Sequence, residues 1–260
     1  MSISLAVNLL ARVRQQNPLI LNITNLVTMD FIANGLLSIG ASPLMSVSRD
    51  ELDDLMPMVA ALVVNLGTLD KAFLEFAQKA CELANRLHKT IVLDPVGAGA
   101  SALRTEASLE LLNQFSITAV RANASEILAL AACTATTKGV DSVVSTAFAL
   151  DAARELSEKY DVAVIMSGEM DYIIDHQQTA ELKVGSPVMA KITGSGCLLS
   201  AVSAAFLAIE TNRFAAATAA THFYGMCGER AAQAAEKPGS FKVAFLDELS
   251  CLALEDLHET

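Results

Sequence analysis

The sequence predicts an α/β fold, a mostly parallel sheet with helices on both faces and an antiparallel hairpin at one edge. Three observations predict it. Short β-branched apolar runs alternate with longer runs of helical period through residue 168, and strands that are apolar throughout are those covered on both sides. After that point YIID at 172–175 and AELKV at 180–184 flank a short polar link, a hairpin pattern. The chain has 260 residues, of which 53% are hydrophobic, enough to fill one large α/β core.

The elements follow in order. Ile3, Val7, Leu10 and Val13 fall on one face of a first helix. LILNI at 19–23 reads as a strand, 26–39 as a helix and PLMSV at 43–47 as a second strand. Ser48 and Glu51 have the spacing of a capping box for a helix over 49–59. ALVVNLG at 61–67 is a buried strand and 70–87 an amphipathic helix. TIVLDP at 90–95 is a strand stopped by Pro95 and the glycines at 97 and 99. A helix over 103–113, a strand at 117–121 and a helix at 124–132 follow, then a helix over 145–159 and the strand DVAVIMSG at 161–168. The final third is helical, over 196–210, 213–235 and 244–257. No linker, repeat or low-complexity tract interrupts this order, so 1–260 reads as a single domain.

Composition excludes several classes of function. The formal net charge is −11 and no basic stripe offsets it, which argues against a nucleic-acid partner. No apolar run reaches the ~18 residues of a membrane span. The N-terminal arginines follow the apolar stretch, whereas a signal peptide carries its positive charge first. The five cysteines are odd in number and form no C-x-x-C pair, so a disulfide framework or a structural zinc site is not expected. A cytoplasmic enzyme is the expectation.

Ligands of open α/β sheets bind beyond the carboxyl ends of the strands, and polar clusters fall at those ends here. In DPVGAG at 94–99, Asp94 holds Mg²⁺ or orients a hydroxyl, or else caps a turn. In RANASE at 121–126, Arg121 ends a strand and suits a phosphate. Asn123 and Glu126 either close a capping box or, with Glu126 acting through water, organise Mg²⁺. Ser167 and Gly168 offer a hydroxyl and open backbone to a nucleotide, or form a plain turn. KITGSGCLLS at 191–200 is a glycine turn opening a buried helix, whose free N–H groups make an anion site. Cys197 stands where the turn becomes helix; it is either a small buried residue or a thiol whose pKa the helix terminus lowers. A cysteine-nucleophile enzyme would need a histidine base, and no histidine falls on an expected strand end.

Together, NITNLVTMDFIANGLLSIGASPLMS (22–46), VLDPVGAGAS (92–101), RANASEI (121–127) and TGSGC (193–197) resemble the hydroxyethylthiazole kinases along nearly the whole chain. The resemblance implies a ribokinase-like three-layer sandwich and ATP-dependent phosphorylation of 4-methyl-5-(2-hydroxyethyl)thiazole, a salvage step toward thiamine. It implies a homotrimer with each active site between neighbouring subunits. By it, Asn25 and Met45 contact the thiazole and Gly194 lies at the substrate, while Arg121 and Ser167 contact ATP. Ser167 stands where the family often has threonine, which keeps the hydroxyl. Asn123 and Glu126 match the N-x-x-E pattern associated with magnesium. Many ribokinase-like kinases carry an aspartate base where this chain has Cys197. The Gly194–Cys197 N–H groups, including that of Gly196, can hold the transferring phosphoryl oxygens. Cys197 then acts as a weak base or only fits beside the thiazole, and Asp94 is the other candidate base or metal organiser. The alternatives are a kinase for hydroxymethylpyrimidine or a pyridoxal-like alcohol, and a nucleotide-binding trimer without activity.

Overall fold

The computed structural model describes residues 3–132 and 146–251. Among them, eight strands form one sheet in the order β2-β1-β3-β4-β5-β6-β7-β8. β1 (Leu19–Ile23), β2 (Ser42–Met45), β3 (Ala61–Asn65), β4 (Thr90–Asp94), β5 (Ala119–Asn123) and β6 (Ala163–Ser167) pair in parallel. β7 (Asp171–Asp175) and β8 (Gln178–Leu182) complete the edge as the expected antiparallel hairpin. β1 has β2 on one side and β3 on the other, so the chain reverses its direction of winding there and opens a crevice beyond the strand ends.

Alternation along the strands divides the interior into two cores. Ile20, Val63, Val92 and Ile165 face one side, with α1 (Ile3–Gln16), α2 (Met29–Ser38), α8 (Ser195–Ile209), α9 (Arg213–Ala234) and α10 (Pro238–Cys251). Leu21, Val64, Leu93 and Val164 face the other, with α3 (Leu52–Leu55), α4 (Lys71–Arg86), α5 (Ala102–Gln114), α6 (Ala124–Ala132) and α7 (Thr146–Tyr160). The result is a three-layer sandwich, as expected. α8 is buried almost all round, because it lies on the sheet under α1, α2 and α9. Its alanines and Gly35 of α2 make that possible: a Cβ at Gly35 would sit 2.3 Å from Leu198 Cδ1.

Two sequence expectations need correction. Ser48 makes no side-chain cap, and Glu51 instead accepts a hydrogen bond from the Ser46 hydroxyl at 2.5 Å. The segment forms only a 3₁₀ turn and the four-residue α3, because Pro57 has no N–H to carry the ladder on, although Met56 before it keeps helical angles. The last helix starts at Pro238 rather than at 244, since proline suits a first helical position. The part of it expected beyond residue 251, and residue 145, lie outside the described residues. No described helix is long and apolar enough to cross a membrane.

Candidate active site

The parallel register brings the polar strand ends level. Asn65 pairs with Asp94 across β3 and β4, and Asn123 with Ser167 across β5 and β6. Asp94 is wholly buried, yet it is an acid. Its Oδ2 accepts from Asn65 Nδ2 at 2.7 Å and from Ser200 Oγ at 2.7 Å. Arg121 Nη1 lies 3.8 Å from the same oxygen, and Oδ1 has no partner. Burial pushes the Asp94 carboxyl above its ordinary value; Arg121 and the bonds from Ser200 and Asn65 oppose that, and Glu126 adds to it.

From Asp94 a line of amides leads to the cysteine. Asn25 Nδ2 donates to Asn65 Oδ1 at 3.0 Å and to Cys197 Sγ at 3.3 Å. Asn25 Oδ1 accepts from the Thr28 N–H at 3.1 Å, which fixes the amide against the start of α2. The Cys197 thiol is raised, not lowered as a helix terminus alone would make it. Burial is the larger cause and the Asp94 charge the next; together they outweigh the hydrogen bonds and the Arg121 cation. The turn itself is held by Gly194, at φ +92°, and by Tyr224, whose hydroxyl donates to the Ser195 carbonyl at 2.6 Å.

Arg121 lies over that turn. Its Nη2 donates to the Ser167 hydroxyl, and a Cβ at Gly196 would sit 2.3 Å from its Nη1, so only glycine lets the guanidinium rest there. Asn123 and Glu126 do form the capping box. Glu126 Oε2 accepts from the Asn123 N–H at 2.9 Å, and Asn123 Oδ1 accepts from the Glu126 N–H at 3.0 Å. Glu126 Oε1 also accepts from the Gly97 N–H at 2.8 Å, tying α6 to the loop after β4. A cleft of about 400 Å³ opens beside Ser167, with Ser125, Leu128, Ala149, Gly168 and Lys183 in its walls.

Cys197, Asn25, Asp94, Arg121, Ser167, Gly194 and Gly196 are thus brought into one region, and Glu126 and Asn123 border it through Gly97. Met45 ends β2 opposite Asn22 and packs, half-buried, on the same core, where α2 covers β2. Sequence reading passed over Asn65, although it ends a buried strand as Asp94 does. It also passed over Ser200, one turn into α8, and Arg104. Arg104 donates to the carbonyls of Leu66, Val96 and Gly67 and so braces the loops after β3 and β4. No local pattern marks Ser200 or Arg104; the bonds that place them in the site reach Asp94, and Leu66 and Gly67, which are 106, 38 and 37 positions away.

A model of the hydroxyethylthiazole kinase family matches residues 10–255. A hydroxyethylthiazole kinase of Vibrio parahaemolyticus is 47% identical over 250 residues, covering 95% of this chain and 93% of the relative. The structure of a hydroxyethylthiazole kinase protein from Pyrococcus horikoshii superposes with a TM-score of 0.91 at 34% identity, covering 99% of this chain and 97% of that one. A ribokinase-like superfamily protein from Enterococcus faecalis, at 13% identity and a TM-score of 0.69 over 97% of this chain and 95% of that one, shares the fold. With a matching family model over nearly the whole chain and relatives this similar, the protein belongs to the hydroxyethylthiazole kinase family.

Proposed function

We propose that this protein transfers the γ-phosphoryl group of ATP to the hydroxyl of 4-methyl-5-(2-hydroxyethyl)thiazole, giving the thiazole phosphate for thiamine salvage in the cytoplasm. The observation that carries the reading is the meeting of a buried, half-partnered carboxylate, a guanidinium and a glycine turn at the start of a helix. Phosphoryl transfer asks a protein mainly for positioning and for charge stabilisation. The nucleotide lies in the cleft beside Ser167, with Arg121 and the Ser167 hydroxyl on its phosphates. The N–H groups of the Gly194–Cys197 turn point at the transferring oxygens. The thiazole lies between Asn25, Met45 and Gly194.

The alcohol's proton goes to Asp94. Its Oδ1 has no partner, whereas the Cys197 thiol is held above its ordinary 9.0 and keeps its proton at neutral pH. Cys197 lines the acceptor side. The donor set fits magnesium, which needs one or two carboxylates and keeps water and phosphate as its other ligands. Asp94 has a free oxygen, and each Glu126 oxygen accepts one N–H and keeps a lone pair for a metal-bound water. Asn123 holds Glu126 in place. When bound, the ion neutralises charge on the phosphates.

The test is ADP release on the thiazole, pyrimidine and pyridoxal alcohols, with and without magnesium. We expect turnover with the thiazole alcohol and its loss in EDTA. Preference for another alcohol, or ATP binding without turnover, would replace this reading.

The working form is a homotrimer with sites shared between subunits. Leu26, Val27 and Val47 are 67%, 71% and 72% exposed beside Asn25 and Met45, an apolar rim where a second subunit would seat. Sedimentation equilibrium should give a trimer; a fully active monomer would refute the shared site.

A further inference from the structure

Thr28 is the residue immediately before α2, the position where a hydroxyl normally accepts a hydrogen bond from the helix's first turn. Here it makes no such bond. The side chain is 4% exposed, and Oγ1 has no hydrogen-bond partner. A buried hydroxyl left unpaired is costly, and a threonine that forgoes its own cap is more so. Its surroundings are those of the reaction. A Cβ at Gly194 would lie 2.8 Å from Thr28 Cγ2, so the methyl rests on the turn. The Thr28 N–H is held by Asn25, whose amide also reaches the Cys197 sulfur. Its polar neighbour is the Cys197 thiol, which it meets without hydrogen-bond geometry and whose pKa it pulls down against the larger push of burial, so the hydroxyl's bond is left unmade.

We infer that the Thr28 hydroxyl is kept for the acceptor: it donates a hydrogen bond to the oxygen of the alcohol that will be phosphorylated. This rests on the kinase reading above. The bond orients the alcohol, so that its proton faces Asp94 and its remaining lone pair faces the phosphoryl group. Thr28 is then a specificity residue as well. A site with a buried unpaired hydroxyl rejects a ligand that lacks the matching oxygen more strongly than an apolar pocket does.

A thermodynamic cycle tests this. Wild type, Thr28→Val and Thr28→Ser are each titrated calorimetrically with the thiazole alcohol and with 4-methyl-5-ethylthiazole, which lacks only the hydroxyl. Valine has threonine's shape, and serine restores the donor. We expect Thr28→Val to weaken the alcohol about 10-fold and to leave the ethyl compound unchanged. Its kcat should fall by at least a similar factor, and Thr28→Ser should lie within about 3-fold of wild type in affinity. Equal weakening of both ligands would mean that Thr28 only shapes the pocket and would overturn the inference, as would no weakening of either. Failure of the kinase reading is separate: it would show as absent turnover in the wild type. Should Thr28→Val not fold, Thr28→Ala, which also lacks the donor, takes its place. It must lose most of the preference for the alcohol over the ethyl compound that wild type and Thr28→Ser show; an alanine variant that keeps the full preference overturns the inference.

Discussion

Asp94→Asn should lower turnover by about 100- to 1000-fold while the protein stays folded. The asparagine oxygen can still accept from Asn65 and Ser200, so both hydrogen bonds survive. What is lost is the charge that, on the proposed mechanism, would take the proton and face the magnesium. Stability should move the other way. The Asp94 pKa in the folded state is raised above its ordinary 3.8 by burial. A group raised on folding adds stability that is fully present below its unfolded value and lost as pH rises through the folded one. In the metal-free enzyme, ionised Asp94 therefore lowers stability at neutral pH, and asparagine removes that cost. Melting curves of both proteins from pH 4 to pH 8 should converge at the acid end, with the variant at least as stable at the alkaline end. A variant that keeps wild-type turnover would remove Asp94 from the chemistry. One that melts well below wild type at pH 8 would make the charge structural.

Arg121→Met should lower kcat/KM by about 30- to 1000-fold, because on the proposed mechanism it removes the cation that would meet the phosphates, and such contacts are worth roughly 2–4 kcal/mol. Methionine fills much of the same space and lets Gly196 keep its approach. Here stability should fall as well. Arg121 is the cation beside Asp94, and it donates to Ser167. Without it the carboxylate is buried with no opposing charge, and its pKa rises further. The loss of stability should be larger at pH 8 than at pH 5, where Asp94 more readily takes a proton. Combining Arg121→Met with Asp94→Asn should recover melting temperature and not activity. Kinetics of Arg121→Met equal to wild type would return Arg121 to a purely structural role. A double variant no more stable than Arg121→Met would show that the two charges are not coupled.

The sequence by itself determined the architecture and named most of the residues that the structure gathers at the candidate site. Runs such as ALVV at 61–64 and IVL at 91–93 are apolar on both faces of the strand, and only strands covered on both sides have reason to be so. The break in rhythm after Gly168, with the hairpin pattern that follows it, pointed to antiparallel strands at one edge, and β7 and β8 form them. Asp94 and Ser167 were legible because each is a polar residue closing an apolar strand, where open α/β sheets bind their ligands; the expected strand at 117–121 ended on Arg121, whereas β5 runs from Ala119 to Asn123 and carries Arg121 at its middle. Asn123 and Glu126 were legible as a capping box because both partners lie within one turn.

The tertiary structure alone decided how these groups act on one another. Ser200 reaches Asp94 across 106 positions of sequence, and Asn25 reaches Cys197 across 172. No local period records such pairs. The direction of the Cys197 shift was also beyond sequence: a helix N-terminus lowers a thiol pKa, but burial and the Asp94 charge raise it, and only packing sets their depth and distance. Thr28 reads in sequence as an ordinary residue before a helix. It becomes notable only when α2, the Gly194 turn and Asn25 close around its hydroxyl and leave it without a partner, because whether a polar group is satisfied depends on everything that surrounds it.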